Sequence, residues 1–341
     1  MKNLGSMGAV AALLAALSAA PASADEFYAG KTLTLVVGSD VGGGYDTYAR
    51  LFARHLGDHI PGKPNVVVQN IPGAGSARAG GYLYNSAAKD GMTIALLQPG
   101  AILGPLVDKK MQAGYDATKF VYLASADSGS RVCITLPGSR IKTFKQAQTE
   151  KVIAGAAGTG ASSRDYAYLH KNTSGAKFEV ISGYKGMADI LLAMERGEVD
   201  TVCGFDWSSV KAQRPTLVKE KKLNVLLQAG IDPNPELDEL GVPDVMSFTE
   251  GADNRAIVEL IVAQQFFGRP FLIAPGNPEA AVTILRAAFD AAMKDEKLLA
   301  DAGRIGLDIT PAPGAKVQEV VKKMYSAPDR IVELAAKAIR E

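Results

Sequence analysis

The sequence predicts an α/β chain folded as two lobes, each a mostly parallel sheet flanked by helices. Three features of the 341 residues carry that expectation. A strand that runs through a glycine turn into a helix recurs four times. The pattern breaks near Phe120 and then restarts. The chain is also too long for one compact core and comfortable for two domains.

The N-terminus reads as a leader. Met1 to Ala24 has one early charge, Lys2, an apolar core from Ala9 to Ala20, and Ala22-Ser23-Ala24 before Asp25. That is the pattern of a secretory signal peptide cleaved after Ala24. No apolar run reaches the roughly 18 residues a membrane span needs. Neither cysteine lies near the cleavage point, which argues against a lipid anchor, so the expectation is an exported, soluble protein. Without Lys2, 36 basic residues face 36 acidic ones. No basic stripe is interleaved with aromatics, so nucleic acid is excluded as a partner. An anion would have to be held by local amides and a few side chains.

The first unit opens with Leu33, Leu35, Val36 and Val37, a buried strand by its aliphatic density. Gly38 to Gly44 turns the chain, Asp46 is expected to cap the next helix, and Tyr48, Leu51, Phe52 and His55 fall on one helical face. A glycine turn opening a helix presents free N–H groups and the positive end of a dipole, a site for an anion; an ordinary tight turn is the plainer alternative. Val66 to Gln69 is the second strand, closed by Asn70 to Ser76, with a helix expected to about Ala88. Thr93 to Leu97 is the third. This βαβαβ order implies a parallel sheet with crossover helices, whose ligands sit at the carboxyl ends of the strands. Gly30-Lys31-Thr32 and Gly73-Ala74-Gly75 resemble phosphate-loop and dinucleotide fingerprints but fail on context, since Asp25 and Arg78 stand where glycines are required.

In the second unit, Val121–Ala124 and Val132–Leu136 read as strands around an interdomain crossing at Asp127-Ser128-Gly129-Ser130. Phe144–Lys151 reads as a helix and Val152–Ala157 as a strand ending in Gly158 to Ser163. Phe178–Ile181 is a strand before Gly183 to Gly186. Met187, Ile190, Leu191 and Met194 form a helical stripe that belongs to a core, not to a ligand box. Glu198–Cys203 leads into Gly204 to Ser209. Cys133 and Cys203 lie in apolar strands and either pair, in an oxidising compartment, or remain two buried thiols. His55, His59 and His170 have no metal-ligand spacing, and no metal or cofactor is expected. Near the end, Asn277 and Pro278 open a helix read through Leu299, and two further helices follow, the last over Arg330–Arg340.

The architecture resembles a two-lobed extracytoplasmic binding protein. More narrowly, the chain resembles the periplasmic solute receptors of tripartite tricarboxylate transporters, the Bug family. The residues that carry this are Gly42-Gly43-Gly44-Tyr45-Asp46 with Ala49-Arg50, Asn70 to Gly75 with Lys89-Asp90-Gly91-Met92-Thr93, and Gly158 to Ser162. Tyr184-Lys185-Gly186, Gly197-Glu198-Val199-Asp200 and Ala274-Pro275-Gly276-Asn277-Pro278 complete the set. Each is weak alone; in order, over nearly the whole chain, they are specific. The resemblance implies a type II periplasmic binding fold whose lobes close on a small organic carboxylate and deliver it to membrane transporter subunits, the receptor itself being a monomer.

It also implies a site. Ser39, Gly43, Gly44 and Asp46 in one loop and Ala74, Gly75 and Ser76 in the next would grip the carboxylate. Thr159, Gly160, Ala161, Ser162, Ser163 and Tyr184 would close over it, with Asp206 and Trp207 beside them. Residues 25–126 would form the first lobe and 127–265 the second, with 266–341 returning to the first through Phe266 to Pro270. Some residues depart from the family. Asp40 puts a negative charge in an anion loop, where it would face solvent, cap a turn or select a cationic group. Arg78 either reaches a second carboxylate or stays solvated, and Gly230–Asn254 aligns poorly. Two rivals remain. An exported hydrolase lacks a G-x-S-x-G elbow and has only three histidines as bases. A receptor for a signalling partner would use the same pocket.

Overall fold

The computed structural model describes residues 27–108, 111, 113–231 and 234–340; the leader at Met1–Ala24 lies outside them. Two sheets organise the chain. The first contains β1 (Thr32–Val37), β2 (Asn65–Asn70), β3 (Thr93–Leu96), β4 (Val121–Ser125), β10 (Pro270–Ile273) and β11 (Ala312–Pro313), in the order β11-β4-β10-β3-β1-β2. The second contains β5 (Arg131–Thr135), β6 (Val152–Ala157), β7 (Phe178–Tyr184), β8 (Thr201–Asp206) and β9 (Asn224–Ala229), in the order β7-β6-β8-β5-β9. β1 runs parallel to β2 and β3, and β6 parallel to β7 and β8. β10 and β5 are antiparallel to their neighbours. The architecture is the expected two-lobed α/β one.

The cores follow from the strand period. In β1, Leu35 and Val37 pack on one face with Leu33, while Val36 packs on the other. Burial on both faces is what crossover helices impose on parallel strands. The face that carries Val36 belongs to a core that continues into the second lobe through Cys133, Cys203 and Leu227. The opposite face of the second sheet, with Val132, Ile134, Val202 and Phe205, has a core of its own.

Several local expectations change. Gly43, not Asp46, is the N-cap of the helix Gly44–His55, because Asp46 reaches back from the first turn to the Gly42 amide at 2.9 Å. The helix after the second loop stops at Asn85. β8 continues through Asp206, so Gly204 is strand rather than turn. The helix expected through Leu299 is two, Glu279–Ala292 and Glu296–Arg304, since Asp295 accepts the Lys297 amide at 2.8 Å and caps a new start. Asn277 accepts the Gly91 amide instead of capping. The final helix, Asp329–Ala338, was expected on the first lobe. It packs on the helices Ala252–Val262 and Ser162–Thr173 as well as on Gly100–Val107. Asn172 donates to the Ala338 and Arg340 carbonyls at 2.8 and 3.0 Å, and Arg340 pairs with Asp108 at 2.5 Å.

Candidate functional site

The loops at the carboxyl ends of β2 and β3 meet the loop after β6. A Cβ on Gly75 would stand 2.2 Å from the Gly160 carbonyl oxygen, and one on Gly100 2.6 Å from the same atom. Only glycine backbone permits that approach. The lobes are therefore closed on one another here. Ala74, Gly75 and Ser76 are successive left-handed residues, with φ of 46°, 57° and 76°. Such a run is costly for the two non-glycine residues and persists only where the surroundings hold it. Ser76 supplies the hold: its hydroxyl donates to the Gly38 carbonyl at 2.8 Å and accepts the Gln98 amide at 3.0 Å, tying the ends of β1 and β3 to the loop.

Asp46 has the same structural duty. Besides Gly42 it accepts Arg50 Nε and Asn70 Nδ2, both at 2.9 Å, and Asn70 also holds the Ser39 carbonyl. Burial pushes the Asp46 carboxyl up, and Arg50, Gly42 and Asn70 more than offset it, so its pKa lies below the ordinary value. The buried Ser163 hydroxyl accepts the Ala157 amide at 3.0 Å and shapes the turn after β6. These three side chains build the loops, and their polar atoms are spent on backbone and neighbours.

Between the lobes lies a small cavity of about 10 Å³. The first lobe lines it with Gln98, Pro99 and Gly100. From the second come Gly160, Ser162, Asp165 and Tyr166, with Arg131 at the head of β5 and Gln264 beyond the helix Ala252–Val262. Arg131 belongs here because β5 is antiparallel: its first residue pairs in register with Asp206, the last residue of β8. The start of an antiparallel strand thus shares the carboxyl end of its parallel neighbours. Arg269, just before β10, enters the first lobe by the same logic.

These two arginines meet around Asp206. The Asp206 carboxylate lies 2.8 Å from Arg269 and 3.5 Å from Arg131, and all three are buried. Arg269 stacks on Tyr45 and Tyr48, 4.3 and 4.7 Å from the ring centres, and donates to Ser209. Arg131 donates to the Gly204 carbonyl at 2.7 Å and to the Tyr45 hydroxyl at 3.3 Å. Nearby, Asp127 accepts the Thr310 and Ser208 hydroxyls at 2.9 and 3.2 Å. Asp165 has no such escort. Burial pushes its carboxyl up to about 7, with Arg164, Arg131 and Arg340 pulling the other way only through space.

Among the residues singled out in the sequence, Gly160 and Ser162 line the cavity, and Ala74 and Gly75 abut Gly160 across the lobes. Gly43 caps its helix, and Ala161 caps Ser162–Thr173. A Cβ on Gly44 would stand 2.5 Å from the Ser209 hydroxyl, a second close approach between the lobes. Ser39 is partly exposed and Thr159 exposed; Tyr184 rests against the second-lobe core. Asp206 is engaged by arginines rather than open to the cavity. Trp207 is buried in the second-lobe core, donates to Glu236 at 2.9 Å and lines a separate cavity of about 270 Å³ with Leu217 and Leu240. Asp40 and Arg78 are exposed.

Arg131, Asp165, Gln98 and Gln264 were not expected. An arginine leading an apolar strand, as in Arg131-Val132-Cys133-Ile134, was the available signal. His55 and His59 pair with Asp301 and Asp295, each at 2.9 Å, away from the cavity. Cys133 and Cys203 are joined by a disulfide. His170 lies beside them, the three ligand atoms within 4.8 Å of one another, a proximity that sequence spacing did not reveal. The disulfide engages both sulfurs, and burial lowers the His170 pKa to about 3.

Two lobes, each a largely parallel sheet, meeting at glycine loops on the carboxyl ends of their strands define the fold of the two-lobed periplasmic binding proteins. Solved structures that share it include the periplasmic binding protein BugD, with a TM-score of 0.69 and 21% identity over 91% of this chain and 98% of that one. MatC of Rhodopseudomonas palustris, solved with malate, aligns with a TM-score of 0.68 and 19% identity over 89% of this chain and 99% of its own. A third, from R. palustris with adipate, gives 0.69 and 20% over 90% and 97%. No protein-family model and no curated protein matches the sequence. At these identities the likeness is one of fold.

Proposed function

We propose that the protein is a periplasmic solute-binding receptor of the tripartite tricarboxylate-transporter type. It captures a small organic carboxylate between its lobes and delivers it to membrane subunits. The observation that carries this reading is the meeting of Gly75 and Gly160 at a cavity that Arg131 lines. Backbone N–H groups at the helix starting at Ser162 and a guanidinium beside them suit a carboxylate. The malate and adipate held by two proteins of this fold support the same ligand class.

Closure is a hinge motion about the crossings at Asp127–Ser130 and near Gly268, between lobes of residues 25–126 with 266 onward and 127–265. The Met1–Ala24 leader supports export with cleavage after Ala24. Binding rather than catalysis is favoured by the histidines: two are paired with aspartates away from the cavity, and the third is buried beside a disulfide.

The test is a thermal melt of the chain from Asp25 with mono-, di- and tricarboxylates, amino acids, sugars and amines. A carboxylate that raises Tm with saturable concentration dependence supports the receptor. A response to sugars or simple amines alone sinks the carboxylate assignment. Gly75→Val, which drives a side chain into the Gly160 carbonyl, should abolish the ligand-induced shift, with circular dichroism to establish that the variant is folded. A normal shift in this variant would mean that the closed contact is not used in binding.

A further inference from the structure

We propose that Asp165 makes the cleft selective for carboxylates that also carry an ammonium group, that is, amino-acid-like zwitterions. The inference rests on the receptor reading above and narrows its ligand class. Asp165 is 8% exposed, lies in the first turn of the helix Ser162–Thr173 and lines the interlobe cavity. No side chain among the described residues donates to it. The charged groups that face it are Arg164 on its own helix, Arg131 from β5, Arg340 from the chain end and Asp108 after the helix Gly100–Val107, and none is within hydrogen-bond reach.

The neighbouring charges are already matched. Arg131 and Arg269 share Asp206, and Arg269 also faces Asp127, which accepts two hydroxyls. A bare carboxylate entering beside ionised Asp165 would add a buried anion with no new cation. A zwitterion adds none. Gln264 gives the second, independent sign. Its amide nitrogen donates one of its two hydrogens to the Ile261 carbonyl at 2.7 Å, and its carbonyl oxygen accepts from no described residue. Two acceptors, Asp165 and Gln264, thus line the same buried space as the Arg131 guanidinium, whose Nε donates to no described residue. An ammonium brings three donors and one positive charge. The ligand carboxylate then lies against the Gly160–Ser162 amides and Arg131.

The alternative chemistry is that Asp165 keeps its proton and donates it to a bare carboxylate. The two differ in sign with pH. An ammonium needs the ionised carboxyl, and in the empty cleft Asp165 titrates at about 7. Zwitterion affinity should therefore rise as pH climbs from 5.5 toward 7 and level off above it; bare-carboxylate affinity would fall over the same interval.

The experiment is isothermal titration of the chain from Asp25 with matched pairs that differ only in the amine: glutamate and glutarate, aspartate and succinate, alanine and propionate. We expect the amino acid of at least one pair to bind tenfold or more tightly than its partner, and more tightly at pH 8 than at pH 5.5. Asp165→Asn should lose that preference at least tenfold, with Asp165→Ser as a second variant and circular dichroism melts to establish folding. Preference for the deaminated partner, tighter binding at pH 5.5, or an unchanged preference in a folded variant overturns the proposal. Binding of bare carboxylates alone does so while leaving the receptor reading intact; no response to any carboxylate removes both.

Discussion

Asp206 and Asp165 are both buried aspartates at the same end of the second lobe, and the fold treats them in opposite ways. Asp206 sits between two guanidiniums, 2.8 and 3.5 Å away, one from each lobe. Asp165 has cations nearby but none bonded to it. The difference teaches what burial does to a carboxylate. With a cation buried alongside, it becomes part of the frame. Without one, it remains an unmet demand beside a cavity.

The sharpest way to break the comparison is Asp206→Asn. It leaves Arg131 and Arg269 buried without their counterion and should cost about 3–5 kcal/mol in urea unfolding. A loss under 1 kcal/mol would mean that the arginines find other partners. Asp165→Asn should act in the other direction. The folded carboxyl holds its proton to about pH 7 against an ordinary 3.8, so the unfolded chain gives up that proton first. For this group, stability is highest below pH 4, falls as pH rises to 7 and is flat above. The variant should therefore be the more stable protein at pH 8, by at most about 4 kcal/mol, and equal to the parent below pH 4. A destabilised variant at pH 8 would show that Asp165 already has a partner.

The disulfide sharpens the same contrast with a smaller effect. It joins β5 to β8, the strands that carry Arg131 and Asp206, and closes a separation of 70 residues. Replacing both cysteines by alanine should cost roughly 2–4 kcal/mol. If the link also aligns the ion pair, the loss combined with Asp206→Asn will be less than additive. Strict additivity in a double-mutant cycle would separate the two.

The two-lobed architecture was legible because its signals are local: aliphatic strands, glycine turns and helical stripes follow one another in chain order. The loops Asn70–Ser76 and Gly158–Ser163 were legible for the same reason, and they do meet. The roles within them were less so. Asp46, Ser76 and Ser163 look from the sequence like ligand-seeking polar groups, but each is consumed in holding a turn, which depends on partners up to 38 residues away. Arg131 and Asp165 were missed for a complementary reason. An arginine reaches the carboxyl end of a parallel sheet only when its strand runs backward, and strand direction is a property of the assembled sheet. Trp207, expected beside the ligand, instead follows a strand that extends through Asp206 and packs in the second-lobe core.

The order of strands in the first sheet has a consequence for synthesis. β10, near residue 270, lies between β3 and β4, so β4 has no partner in its own sheet until chain more than 140 residues further on is present. The second sheet is contiguous, from Arg131 to Ala229. As the chain emerges vectorially, the second sheet can be fully paired while the first still exposes the unpaired edges of β3 and β4. β4 is thus among the last strands to be paired, and a nascent chain halted before Pro270 would present an open sheet edge to whatever chaperone meets it.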